Sequence, residues 1–175
     1  MKKIQEGHFR LELPENWEIV KYDDSNFFRK KVTAQHTKAV DFVVKSPDGE
    51  IFLLELKDLR RERQHLGRQM ANENWVDSIS QKVKDTLAGL FGSYRWENND
   101  LFQVSSAIFP KNDVPIKFIF FLEEDVTQTT DTRFRLRRRV LKSSLDEKLS
   151  YLRISCNILN HRELQRRLPW RIQSC

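Results

Sequence analysis

Between residues 39 and 57 the chain reads Ala39-Val40-Asp41-Phe42-Val43-Val44-Lys45-Ser46-Pro47-Asp48-Gly49-Glu50-Ile51-Phe52-Leu53-Leu54-Glu55-Leu56-Lys57, two apolar stretches joined by a strong turn sequence. Pro47 suits the first central position of a type I turn and Asp48 the second, while Gly49 can take the left-handed conformation that closes a three-residue hairpin loop with a bulge. Ser46 then faces Glu50, and counting outward pairs Val44 with Phe52, Phe42 with Leu54, and Asp41 with Glu55. The two carboxylates therefore stand opposite each other with β-carbons roughly 4.5 to 5.5 Å apart. Strand alternation places Lys57 on the same face as Glu55.

Like charges facing one another destabilise a sheet, and this hairpin is apolar enough on both faces to belong to a sheet interior. A compensating charge is required. A divalent cation supplies one: Asp41 and Glu55 are hard oxygen ligands, the backbone carbonyl of Leu56 can add another, and waters can complete an octahedral Mg²⁺ shell. The alternative is an ion-pair network in which Lys57, or an arginine from elsewhere, neutralises the carboxylates.

In Asp41 and Glu55-Leu56-Lys57 the chain resembles the PD-(D/E)XK nuclease superfamily, the restriction-endonuclease-like fold. The compatible pattern runs from about residue 15 to about residue 160, with Val40 in place of the usual proline before the first acid. The resemblance implies an α/β fold with a mixed central β-sheet flanked by helices. It also implies that Asp41 and Glu55 bind one or two Mg²⁺ ions (Mn²⁺ being a substitute), while Lys57 positions water and offsets charge at a phosphodiester. Family members often add an acid from an early helix. Glu15, Glu18, Asp23 and Asp24 are all available, spacing does not choose among them, and Glu18 is taken as the metal ligand. Some members also carry a polar residue on the helix after the lysine strand, a place for Gln81 or Lys84, which are three apart on one helical face.

The 175 residues suffice for one sizeable core, and a single domain over residues 1–175 is expected. An apolar fraction of 39% and a charged fraction of 32% fit a soluble globular protein. No apolar run reaches membrane-spanning length, and the opening Met-Lys-Lys-Ile-Gln-Glu-Gly-His lacks an apolar targeting segment. Two cysteines, Cys156 and Cys175, form no disulfide framework, so a cytoplasmic protein without membrane attachment is expected.

The net charge of +6 is unevenly spread. Lys57, Arg60, Arg61, Arg63 and Arg68 follow the carboxylates closely, and Arg133, Arg135, Arg137, Arg138, Arg139 and Lys142 cluster later. Either group can contact phosphates, and Lys84 joins them as a candidate nucleic-acid contact. Each is equally readable as a solvated face.

Beyond the hairpin, residues 60 to 75 read as a polar connection, and Asp77 or Ser78 is the expected cap of a helix with an inward stripe of Ile79, Val83, Leu87, Leu90 and Tyr94. Gly92 is its expected end. Pro115 precedes a strand, Ile116–Leu122, whose continuous apolarity implies burial on both faces. Thr130 or Asp131 opens a second helix with Leu136, Val140, Leu141, Leu145 and Leu149 inward and its arginines outward. Tyr151–Leu159 reads as a returning strand and His161–Leu168 as a short helix stopped by Pro169. In the early region, Phe9–Leu13 and 17–31, Phe27 and Phe28 are expected to pack, with Arg29, Lys30 and Lys31 toward substrate.

Other chemistries fit poorly. His8, His36, His65 and His161 lack zinc-type spacing, Ser143-Ser144 lacks a nucleophile elbow, and no glycine-rich phosphate loop follows a strand. Trp17, Trp75, Trp96 and Trp170 are packing anchors or base-stacking residues. The expectation is a metal-dependent nuclease acting on DNA, with RNA open as a substrate and a protein partner or homodimer open as an assembly. The alternatives are a nucleic-acid-binding protein of the same fold without turnover, and a basic module that docks an acidic protein.

Overall fold

The computed structural model describes residues 1–33, 37–60, 73–109, 113–123 and 132–174. Among them the chain runs through β1 (Lys2–Glu6), β2 (Phe9–Leu13), β3 (Glu18–Lys21), β4 (Phe42–Lys45), β5 (Ile51–Asp58), α1 (Glu73–Arg95), α2 (Phe102–Ile108), β6 (Ile116–Glu123), α3 (Thr132–Leu149), β7 (Ile154–Leu159), α4 (His161–Arg167) and β8 (Arg171–Ser174). A π-helical turn, Phe28–Val32, lies between β3 and β4. No helix among the described residues is long and apolar enough to cross a membrane.

The hairpin forms in the expected register, with Phe42 opposite Leu54, Val43 opposite Leu53 and Val44 opposite Phe52. Gly49 sits at φ 85° and its N–H donates to the Ser46 carbonyl at 3.0 Å, while the Ser46 N–H donates to the Glu50 carbonyl at 2.9 Å. Ser46 Oγ accepts from the Glu50 N–H at 3.0 Å, so the serine closes the turn from its side chain as well.

Around this hairpin a five-stranded sheet assembles in the order β3-β4-β5-β6-β7. The β3–β4 and β4–β5 pairs are antiparallel, and the β5–β6 and β6–β7 pairs are parallel. Parallel neighbours need crossovers, which α1 with α2 supplies between β5 and β6 and α3 supplies between β6 and β7. Val43, Leu53, Phe118 and Phe120 pack beneath α1, α2 and α3 on one face. Phe42, Val44, Phe52, Leu54 and Phe121 face the other way. That second face is covered mainly by a small antiparallel sheet, β1-β2-β8, together with Trp17, Trp170 and Leu164 of α4. The fold is thus mixed α/β, but helices do not flank the sheet evenly: a second sheet takes most of one side. Neither β1, β8 nor α2 was legible in the sequence pattern.

Several element boundaries differ from expectation for packing reasons. Helix α1 starts by Glu73 rather than at Asp77 or Ser78, since Trp75 lies edge-on to Phe120 at 5.4 Å and Val76 is buried. It continues to Arg95 through Gly92, where only hydrogen faces Phe27. The expected connection over 60–75 lies mostly in residues 61–72, outside the described residues. On α3, Leu136 and Val140 are 59% and 54% exposed, not inward. Phe134, Leu141, Leu145 and Leu149 are buried instead, because steps of seven, four and four keep one helical row while Leu136 stands about 200° away from Phe134. The strand expected from Tyr151 begins at Ile154, after a 3-10 turn over Ser150–Leu152.

Phe27 and Phe28 pack as expected, with Phe28 against Tyr22 at 5.4 Å. Tyr22 is fully buried and its hydroxyl, which has no hydrogen-bond partner, presses on Gly89. A β-carbon at Gly89 would occupy the space of that hydroxyl. Gly89→Ala is therefore expected to cost about 1–3 kcal/mol despite alanine's better helix propensity. Tyr22→Phe in the same chain should restore most of the loss in a urea melt; an undiminished deficit in the double variant would place the strain elsewhere.

Candidate active site

Beyond Phe42 the β4–β5 ladder stops, and Asp41 takes over its work. The Asp41 carbonyl accepts the Tyr22 N–H at 3.0 Å, tying the residue to the end of β3. Its carboxylate accepts the Leu56 N–H at 2.7 Å, satisfying a β5 donor that β4 no longer reaches. Continuing the register by one residue sets Asp41 opposite Glu55, on the helix-covered face shared with Val43 and Leu53.

Glu55 is 8% exposed. Its Oε1 accepts from Lys82 Nζ of α1 at 2.5 Å, whereas Oε2 is buried with no hydrogen-bond partner. Burial pushes the Asp41 carboxyl up to about 6, opposed by the Leu56 N–H and the Lys82 charge. Burial pushes Glu55 up to about 7, reinforced by the Asp41 charge and opposed by Lys82. Two carboxylates thus share a partly buried site, with the Lys82 ammonium bonded to Glu55 and its charge acting on both. Lys57 follows on the same face at the open end of β5 and is partly exposed.

Glu18, the expected early acid, does not reach Asp41 and Glu55. Glu18 pairs in register with Lys45 at the turn end of the ladder, and its carboxylate takes the Lys45 ammonium at 3.1 Å. Asp41 lies beyond the opposite end, more than about 10 Å along the strand. Asp23, two residues past β3, is the acid whose charge reaches both Asp41 and Glu55. Its Oδ1 is buried without a partner, and burial followed by the nearby Glu6 charge raises its pKa. Glu6 is held by Lys21 at 2.8 Å. Only the pairing of β3 with β4 singles out Asp23, and that pairing is not written in local spacing.

The helix residue also differs. Gln81 is exposed and donates to Asp85 at 2.6 Å, and Lys84 lies over the Tyr151 ring at 5.8 Å, so neither meets the carboxylates. Lys82 does, since each residue turns the helix face by about 100°.

Among the expected phosphate contacts, Arg61, Arg63 and Arg68 lie outside the described residues. Arg60 is clamped by Asp58, Nε to Oδ1 at 3.0 Å and Nη2 to Oδ2 at 2.6 Å. Arg138 points inward, contrary to expectation: it donates to the Ile158 carbonyl at 2.6 Å and to Glu163, filling the place in the buried row between Phe134 and Leu141. Arg135 and Arg139 remain exposed, Arg135 donating to Thr132 at 3.3 Å, and Lys142 is exposed but paired with Asp146. Arg29 is taken by Asp24, and Lys31 lies over Trp96 at 4.8 Å. Trp17 and Trp170 are packing anchors, their rings 5.2 Å apart.

Among the described residues no group of three or more His, Cys, Asp or Glu side chains is gathered closely enough to hold a metal ion. Asp41 and Glu55 are therefore the available carboxylate pair, a number that suits Mg²⁺, which keeps several waters. The orphaned Glu55 Oε2 is the structural sign that a further cation fits here. No protein-family model, curated protein or solved structure matches this chain.

Because both carboxyls hold protons more tightly in the folded chain than in the unfolded one, their contribution to stability is full in acid and is lost as pH rises toward about 7. Glu55→Gln should remove the Glu55 share of this loss. Its melting temperature at neutral pH is expected to exceed the parent's by roughly 3–6 °C, on the order of 1–2 kcal/mol for a chain of this size, with the difference vanishing near pH 4. A pH series of calorimetric scans without metal measures it.

Proposed function

We propose that this chain is a metal-dependent deoxyribonuclease of the PD-(D/E)XK type, hydrolysing DNA phosphodiester bonds at Asp41, Glu55 and Lys57. The observation that carries the reading is the pair of facing carboxylates, Asp41 half-buried and Glu55 buried, with Glu55 Oε2 unpartnered among the described residues and Lys57 two residues further along the same strand face. The architecture is consistent with a restriction-endonuclease-like fold: an antiparallel hairpin bearing the acids, a helix after the second strand, then two parallel strands.

Asp41, Glu55 and the Leu56 carbonyl would hold Mg²⁺ or Mn²⁺. The ion would supply Lewis acidity at the phosphate and lower the pKa of an attacking water. The chain's own groups do the rest. The Leu56 N–H fixes the Asp41 carboxylate, so its oxygen need not reorganise. The low-dielectric wall of the sheet strengthens each charge interaction inside the site. Lys57 brings a positive charge to the exposed end of β5, where a phosphodiester can approach, and offsets the negative charge that develops on it. Lys82 holds Glu55 in place and neutralises part of the acid cluster before a cation arrives.

The Lys82–Glu55 bond also favours a second reading, a nucleic-acid-binding protein of this fold in which the ammonium stands permanently where a cation would. The two differ in a direct measurement. For the nuclease, Mg²⁺ or Mn²⁺ should support cleavage of end-labelled single-stranded, duplex or branched DNA. EDTA should abolish cleavage, and Lys57→Ala should reduce it at least about a hundredfold in protein whose folding is confirmed by circular dichroism. Mg²⁺ should also raise the parent's melting temperature but not that of Glu55→Gln. DNA binding with neither metal-dependent cleavage nor metal-dependent stabilisation would select the second reading.

A further inference from the structure

On the flank of α1 away from Glu55, a cavity of about 450 Å³ opens between that helix, the end of α2, the start of β6 and the turn before β7. Its walls include Leu87, Phe91, Phe109 and Tyr151, and among the described residues its only charged lining groups are Lys84 and Arg153. Phe91 is 47% exposed and Tyr151 68% exposed, while Phe91 and Phe109 meet edge-on at 5.2 Å. Lys84 Nζ stands 5.8 Å from the Tyr151 ring centroid. Among the described residues neither Lys84 nor Arg153 has an acidic partner, unlike Arg138 with Glu163 and Lys142 with Asp146 in the other cationic cavity.

Arg153 carries a second mark. It lies at φ 54°, ψ 36°, a left-handed conformation costly for a side-chain-bearing residue, at the end of the 3-10 turn that presents Tyr151. Glycine or asparagine would hold this turn more cheaply. The chain instead places a guanidinium there, beside exposed aromatic rings.

Aromatic faces beside unpaired cations match the chemistry of one nucleotide unit, a flat base and its phosphate. Two cations and no carboxylate among the described lining residues disfavour a basic guest. We propose that this cavity is a single-strand subsite: Tyr151 and Phe91 stack an unpaired base and Lys84 with Arg153 hold the adjoining phosphate. A duplex keeps its bases stacked and cannot insert one without unpairing it. The subsite lies at the opposite end of the parallel strands from the carboxylates. Ile116, in its wall, pairs with Ile51, whereas Phe120 pairs with Glu55, a separation of about 13 Å along the sheet. It would thus grip a single-stranded arm at a distance from cleavage and direct the enzyme to single-stranded or branched substrates. The inference rests on the nucleic-acid reading above and names which strand form that reading serves.

The test is fluorescence anisotropy of the full chain with a short fluorescein-labelled oligothymidylate and with a matched duplex, both in EDTA so that no turnover occurs. Tyr151→Ala, Lys84→Ala and Arg153→Gly should each weaken single-strand binding about fivefold or more, and duplex binding less than twofold. Arg153→Gly removes the cation while relieving the left-handed strain, so its melting temperature should equal or exceed the parent's; weaker binding there cannot be misfolding. Unchanged single-strand affinity in all three variants overturns the proposal, and so does an equal loss on duplex, which would be diffuse charge alone. The result is separable from the nuclease reading. Pocket-dependent binding without cleavage keeps the subsite and discards the nuclease, whereas metal-dependent cleavage with pocket-independent binding does the reverse.

Discussion

The register of the β4–β5 hairpin is the constraint on which the rest of the molecule depends. Ser46, Pro47, Asp48 and Gly49 fix the loop, and with a side-chain period of two a slip of one residue would turn every residue of one strand to the opposite face. Were β4 the strand to turn, Val43 would leave the helix layer and Phe42 the second-sheet layer, and Asp41 would no longer face Glu55. One local turn therefore sets the burial of two cores and the composition of the candidate site together.

That site is placed where the sheet has least freedom to accommodate it. The central strands are apolar on both faces, so the carboxylates of Asp41 and Glu55 are surrounded by groups that cannot solvate them. The molecule offsets this with one backbone donor, from Leu56, and one ammonium, from Lys82. Both carboxyls keep a raised affinity for protons and one Glu55 oxygen keeps no partner, a residual cost expected where function rather than stability selects the residues.

Charge elsewhere is distributed by the same logic of reach. Part of the later basic run is already engaged within the chain: Arg138 bridges α3 to the β7 carbonyl and to α4, and Lys142 pairs along its own helix. The clustering of arginines in the sequence overstates the cationic surface offered to a polyanion. The two cations at the aromatic cavity, Lys84 and Arg153, are far apart in sequence and became visible as a pair only when the turn before β7 met the flank of α1.

What the sequence determined by itself was local in origin: the hairpin turn and its register, the facing of Asp41 and Glu55, the buried β6 strand, the short helix between His161 and Pro169, and the burial of Phe27 and Phe28. Each follows from turn chemistry, side-chain period or the stop that proline imposes, which act within a few residues. The tertiary structure alone decided that Asp23 rather than Glu18 approaches the acids, because that depends on how β3 registers on β4. It alone decided that Lys82 rather than Gln81 or Lys84 meets Glu55, because a helix's rotation about its axis is set by what it packs against. The second sheet was hidden for the same reason: β8 pairs with β2 across nearly the whole chain, and no periodicity in a five-residue strand identifies a partner that distant.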